Sequence, residues 1–222
     1  MSVKILELKK SIFENNDIEA NKLRLDLKKR GVFFINLMSS PGSGKTTTVL
    51  KLIEKLEGKY RIGVLEADID SSVDAEKVKA TGTAAIQIHT GGMCHLDAGM
   101  TRTGIESEEM NETDLVILEN VGNLVCPAEF DTGAALNIMI LSLPEGDDKP
   151  LKYPLMFSVC DLLLINKTDT AEFFDFDYDA VCKRANAIND KLEVIRISAI
   201  TGEGFTELCD WLVNRIEQWK KD

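Results

Sequence analysis

Apolar and polar positions follow one another along this chain in blocks that change period. The first thirty residues place Ile5, Leu8 and Ile12 at helical spacing, and Gly31 is a plausible stop. The charge of this segment predicts one or two surface helices packed on the edge of the domain. A β-rich run, VFFINLMS (32–39), then feeds a glycine-containing loop and a helix, KTTTVLKLIEKLEG. Five further strands are expected in RIGVLEAD, AAIQIHT, DLVILENVG, ALNIMILSLPEG and CDLLLINKTD, and a last one in EVIRISAI. Helices near 73–80, from about 94, near 151–158, near 178–190 and over 203–220 separate them. Apolar strands divided by helices predict an α/β fold with a mostly parallel sheet covered on both faces. Ligands on such sheets sit beyond the carboxyl ends of the strands, and each motif described below follows a strand in that way.

Composition narrows the class without changing this picture. A chain of 222 residues is long enough for one α/β domain over its whole length, with 1–31 as a helical N-terminal segment. Apolar residues at 44% and charged ones at 28% read as a soluble globular protein. The formal net charge of −11 argues against a large nucleic-acid face. No window approaches the roughly 18 to 20 apolar residues that span a bilayer, and the N-terminus is too charged for a secretory signal. The five cysteines, without CxxC spacing, make a disulfide framework improbable and a cytoplasmic setting the expectation.

SSPGSGKT (39–46) follows a strand and opens a helix, the context a phosphate-binding loop requires. Backbone N–H groups across Gly42, Ser43 and Gly44 can cradle phosphates at the helix N-terminus, with Thr47 in the same turn. Lys45 would reach the β- and γ-phosphates, and the Thr46 hydroxyl would ligate Mg²⁺. One departure stands out: the usual first glycine of the motif is Ser39.

The base can also be read. NKTD (166–169) matches the NKxD motif of GTPases, so Asn166, Lys167 and Asp169 would hold guanine, and GTP or GDP is the expected nucleotide. Asp169 can accept from both N1–H and the exocyclic amine, donors that adenine lacks at those positions. Ser198 and Ala199, in ISAITGEG, resemble the loop that completes a guanine pocket. Glu119 and Gly122 in LENVGN stand where most GTPases carry DxxG, while Asp68, Asp70 and Asp74 lie on a loop after the second strand. Oxygen ligands suit Mg²⁺, and Asp74 and Glu119 are its expected contacts, with Asp68 next. Lys45, Asp74 and Glu119 are the expected catalytic set. No glutamine or arginine finger follows LENVG, so slow intrinsic hydrolysis is expected.

GGMCHLDAGM (91–100) sets Cys94 beside His95, one of only two histidines. A packing accident and a metal site would both produce this dipeptide. Cys126 rides just beyond Gly122, while Cys160, Cys182 and Cys209 sit in apolar or helical contexts and read as ordinary thiols.

SSPGSGKTT, TGTAAIQIHTGGMCHLDA, LENVGNLVCPAEFD, LPEGDDKPLKYPLMF and LLLINKTD together closely resemble the HypB family, the nickel-incorporation GTPases of nickel–iron hydrogenase maturation. The resemblance spans about residues 30–220. It implies a homodimer that loads nickel into a nickel-enzyme precursor alongside other maturation proteins. It also implies a Ni²⁺ or Zn²⁺ site at the dimer interface built from Cys94, His95 and Cys126. Members of the family often carry a second histidine one helical turn after the first; here that position is Gly99. His89, in IHTG, is the candidate to replace it, against an ordinary polar end of a strand. Lys149 and Lys152 of the LPEGDDKPLKYP loop could reach phosphates or the partner subunit, or simply be solvated. Two competing readings remain: a regulatory or scaffolding GTPase with structural zinc, and a small-metabolite kinase, which the guanine-reading motifs argue against.

Overall fold

A computed structural model describes residues 8–68 and 73–221, with side chains from Ile12 onward. Ile5 and Asp70 therefore lie outside the described residues. Helix α1 (Leu8–Arg30) ends as Gly31 turns left-handed at φ 71°. The Gly31 N–H donates to Lys28 C=O at 3.1 Å and the Val32 N–H to Leu27 C=O at 3.0 Å, the paired bonds of a Schellman stop. The order then runs β1 (Phe33–Ser39), α2 (Lys45–Leu56), β2 (Ile62–Asp68), α3 (Val73–Lys79), β3 (Ala84–His89), α4 (Ala98–Ile105) and β4 (Leu115–Glu119). It continues with α5 (Cys126–Glu129), β5 (Leu136–Ser142), α6 (Lys149–Lys152), α7 (Pro154–Val159), β6 (Leu162–Asn166), α8 (Tyr178–Ile188), β7 (Glu193–Arg196) and α9 (Phe205–Lys221).

Among the described residues seven strands form one sheet in the order β3-β2-β4-β1-β5-β6-β7, and every pairing is parallel. Alternation along β1 sends Phe33, Ile35 and Leu37 to one face, where Val49 and Leu52 of α2 and Leu208 and Leu212 of α9 cover them. Phe34 and Met38 point to the other face, covered by α1, α4, α7 and α8. Strands buried on both sides read as near-continuous apolar runs, as LLLIN and LVILE do.

Helix α1 corrects the sequence expectation. It does not sit on the edge: Leu23 and Leu27 are buried against Phe34, Val116 and Leu118 over the central strands. Each such leucine contributes about 2 kcal/mol through burial. The packing stripe is Asn16, Ala20, Leu23 and Leu27, all buried at helical spacing, whereas Ile12 and Ile18 are exposed. A polar residue heading that stripe hides it from a purely apolar reading.

Candidate functional site

The strand order reverses direction around β1, and a cleft of about 620 Å³ opens there at the carboxyl ends. Gly42, Gly44, Lys45, Thr46 and Thr47 form one wall of it. Gly44 caps α2 in a left-handed conformation, φ 99°, so the first turn of the helix directs its free N–H groups into the cleft. Ser39, the departure from the usual glycine, is fully buried, and its hydroxyl is a hub. It accepts from Lys45 Nζ at 2.9 Å and from Ser43 Oγ at 2.5 Å, and donates to Ser40 C=O at 2.8 Å. Burial lowers the pKa of Lys45, while Glu119 and Glu66 pull it back up.

The base-side motif is stapled to this loop. Asn166 Nδ2 donates to Ser43 C=O at 2.8 Å, and its Oδ1 accepts from the Ala199 N–H at 3.1 Å. Lys167, itself left-handed at φ 65°, donates from Nζ to Gly42 C=O at 2.7 Å. Asp169 Oδ1 accepts from the Ser198 hydroxyl at 2.5 Å. NKTD, the ISAIT loop and the phosphate loop are thus one hydrogen-bonded assembly.

The opposite wall carries acid. Asp68, Asp74, Glu66 and Glu119 all line the cleft, so the four oxygens expected to serve Mg²⁺, those of Thr46, Asp68, Asp74 and Glu119, share one space. Thr46 Oγ1 donates to Glu119 Oε1 at 2.8 Å. Asp74 does not lie on a loop, as expected, but in the first turn of α3, where it pairs with Lys77 at 2.7 Å. An acidic residue there is favoured by the helix dipole. Glu66 was missed from the sequence. It is 3% exposed in the middle of β2, and burial first, then Glu119, hold its pKa far above the usual carboxylate range. Burial also raises Glu119, against hydrogen bonds from Thr46 and Glu66. Both carboxyls are therefore pushed towards the protonated form, and they titrate as a pair. The available signal was an acid in the middle of the apolar run GVLEA, where an unpaired charge is costly.

Beyond Glu119 the chain is guided tightly. Asn120 Nδ2 donates to Asn36 Oδ1 at 2.9 Å, and Asn36 Nδ2 to Asn137 Oδ1 at 3.0 Å, a chain that ties the end of β4 to β1 and β5. Asn120 Oδ1 accepts from the Val121 N–H at 2.8 Å. Gly122 lies so close to Pro41 of the phosphate loop that a Cβ there would come within 3.1 Å of it. The same segment then reaches Cys126, the first residue of α5.

Cys94, His95 and Cys126 come together with their ligand atoms all within 4.8 Å of one another. Cys94 Sγ lies 2.8 Å from Cys126 Sγ and 3.9 Å from His95 Nδ1. Two sulfurs on one ion, at about 2.3 Å each, stand roughly 3.3 to 3.8 Å apart, so capture would part the thiols slightly. Thiol and imidazole fit a borderline divalent ion such as Ni²⁺ or Zn²⁺. The Cys126 contact, with burial, raises the Cys94 pKa; burial lowers that of His95, against Asp97 and Glu129. A neutral imidazole is ready to ligate, while the thiol must shed its proton. The helix expected from about 94 begins only at Ala98, capped by Asp97, which accepts from the Met100 N–H at 2.8 Å. Gly91 and Gly92, both at positive φ, hold 90–97 as a loop. His95 and Gly99 consequently do not share a helical face, and a ligand at 99 would not have stood one turn along. His89 is exposed at the end of β3 and is not in the cluster. Cys160 is a buried core thiol. Lys152 pairs with Asp148, and Lys149 lies over the Tyr153 ring. Among the described residues no helix is long and apolar enough to cross a membrane.

Residues 33–196 match the family model "CobW/HypB/UreG, nucleotide-binding domain". The chain is 45% identical over 210 residues to hydrogenase maturation factor HypB of Azotobacter chroococcum, covering 94% of this chain and 68% of that one. It is 37% identical over 218 residues to a probable HypB of Methanocaldococcus jannaschii, covering 98% and 99%. The solved structure of Helicobacter pylori HypB in complex with nickel superposes with a TM-score of 0.87 at 36% identity, over 92% of this chain and 96% of that one. Archaeoglobus fulgidus HypB gives 0.84 at 36% identity, over 91% and 99%. The chain belongs to the HypB family of hydrogenase maturation factors and carries that family's nucleotide-binding domain.

Proposed function

We propose that this protein is a GTP-hydrolysing nickel metallochaperone, a homodimer that uses the nucleotide state to hold or release nickel for a hydrogenase precursor. One observation carries the reading: the segment from Glu119 to Cys126 contacts the phosphate loop at Thr46 and Pro41 and ends in the metal cluster. A change at the phosphates can reach a sulfur without leaving that segment. Asp169 would select guanine, with Asn166, Ser198 and Ala199 shaping its pocket. Thr46, Asp68, Asp74 and Glu119 would hold Mg²⁺, which neutralises developing charge on the β- and γ-phosphates. Lys45, turning from Ser39 to the phosphates, adds a fixed positive charge beside them. Cys94, His95 and Cys126 would take nickel as cargo. The nickel-bound Helicobacter pylori relative, similar over nearly its whole chain, supports this assignment.

The test is a Ni²⁺ titration of wild type, Cys94→Ala and Cys126→Ala, with and without a non-hydrolysable GTP analogue. Affinity should fall at least about tenfold in either variant and change with nucleotide in wild type. Nickel binding that ignores both substitutions would end the delivery reading.

A further inference from the structure

The N-terminal helix touches the metal cluster's two supporting loops at one residue. Asn16, 9% exposed, donates from Nδ2 to Asp131 C=O at 2.9 Å and accepts at Oδ1 from the Ala98 N–H at 2.9 Å. Its partners are 115 and 82 residues away. Ala98 opens α4 directly after the loop bearing Cys94 and His95; Asp131 follows the turn bearing Cys126. The amide thus satisfies one of the unpartnered N–H groups at the start of α4 while anchoring the other loop. Two further contacts run in parallel. Arg24 grips both carboxylate oxygens of Asp131 at 2.8 Å. The His95 ring stacks on Phe130 with centroids 3.8 Å apart and planes 13° apart, and Phe13 of α1 packs on Phe130 at 4.9 Å.

We propose that Asn16 is a positioning residue for metal capture: a single carboxamide holds the Cys94–His95 loop and the Cys126 loop in register, and the Phe13–Phe130 pair sets the plane of the imidazole. This rests on the metal-site reading above. A side chain outside a ligand set that orients it typically governs affinity by ten- to a hundredfold, because ligands must otherwise be gathered at the moment of binding. Removing Asn16 also strands the buried Ala98 N–H, so the loop would shift rather than merely loosen. Asp at this position keeps the acceptor for Ala98 and loses the donor to Asp131, so it should lie between wild type and Ala.

The experiment is a Co²⁺ titration of the full chain, read by the thiolate-to-cobalt and d–d absorption bands. Wild type, Asn16→Ala, Asn16→Asp, Phe130→Leu and Cys126→Ala are compared, with circular dichroism and GTP-analogue affinity measured beside them. Asn16→Ala should bind Co²⁺ about ten- to a hundredfold more weakly with displaced bands, while its nucleotide affinity stays within about twofold. Wild-type Co²⁺ affinity and bands in Asn16→Ala, while Cys126→Ala loses both, would overturn the positioning role and leave the metal site standing. Wild-type Co²⁺ binding in Cys126→Ala would overturn the metal-site reading itself, and this inference with it. Should Asn16→Ala fail to fold, Asn16→Asp decides: weakened, displaced binding supports the role, and wild-type binding overturns it.

Discussion

The hydroxyl of Thr46 donates a 2.8 Å hydrogen bond to Oε1 of Glu119, 73 residues further along the chain. The phosphate loop and the end of β4 are therefore a single mechanical unit. Thr46→Ala and Glu119→Gln should each slow Mg²⁺-dependent GTP hydrolysis about 100-fold, the scale of losing one preorganised group near developing charge. The double variant should be little worse than either single one, because residues acting as a unit are non-additive. Single-turnover hydrolysis measures this; multiplicative losses would mean that the two act separately.

Glu66 should make stability fall as pH rises. In the unfolded chain its carboxyl loses a proton near 4.5, whereas the folded protein keeps that proton to much higher pH. Above 4.5 the folded state binds more protons, so alkali favours unfolding, by at most about 1.4 kcal/mol per pH unit. Glu66→Gln carries no such titration. Urea unfolding without metal or nucleotide should show its advantage over wild type growing from about pH 5 to about pH 8. A constant difference would mean that Glu66 is ionised inside the fold.

At Gly44 an added Cβ would meet Asn166 Nδ2 at 2.5 Å, on a backbone already left-handed at φ 99°. Asn166 would have to abandon Ser43 and Ala199 to make room. Gly44→Ala should weaken nucleotide binding by at least about tenfold, as about 1 to 2 kcal/mol of backbone cost adds to the broken staple. Fluorescent-nucleotide titration checks it.

Asp169→Asn should move preference from GTP towards XTP, because xanthine replaces the exocyclic amine with an oxygen that the new amide can donate to. Competition between the two nucleotides reads this directly, and an unchanged ratio would place the base elsewhere.

The parts of this site carried by contiguous letters were readable in advance. SSPGSGKT and NKTD declare themselves because backbone curvature, cradle and side-chain chemistry are all local. What ties them together was not. The Asn166–Ser43 bond spans 123 residues, and nothing in either motif names the other as partner. Asn16 was hidden for a different reason: it is a polar residue in a packing stripe, and its two bonds exist only once three distant segments meet. Glu66 was visible as an acid in an apolar strand, yet the neighbour that keeps it protonated comes from β4. The start of α4 slipped because a helix-like pattern from 94 competes with two glycines and a capping aspartate, and those won.

The strand order β3-β2-β4-β1-β5-β6-β7 divides the labour of the molecule about its middle. Everything expected to identify the base hangs from β6 and β7, and everything expected to handle cations, Thr46 apart, hangs from β2, β3 and β4. The loop after β1 touches both territories, through Gly42 and Ser43 on one flank and Thr46 and Pro41 on the other. A partner seated on either flank has two routes to the remote one: this narrow isthmus, and the packing of Leu124 and Ala128 against Met156 and Phe157. In such a layout a change in the loop after β1 is felt on both flanks at once.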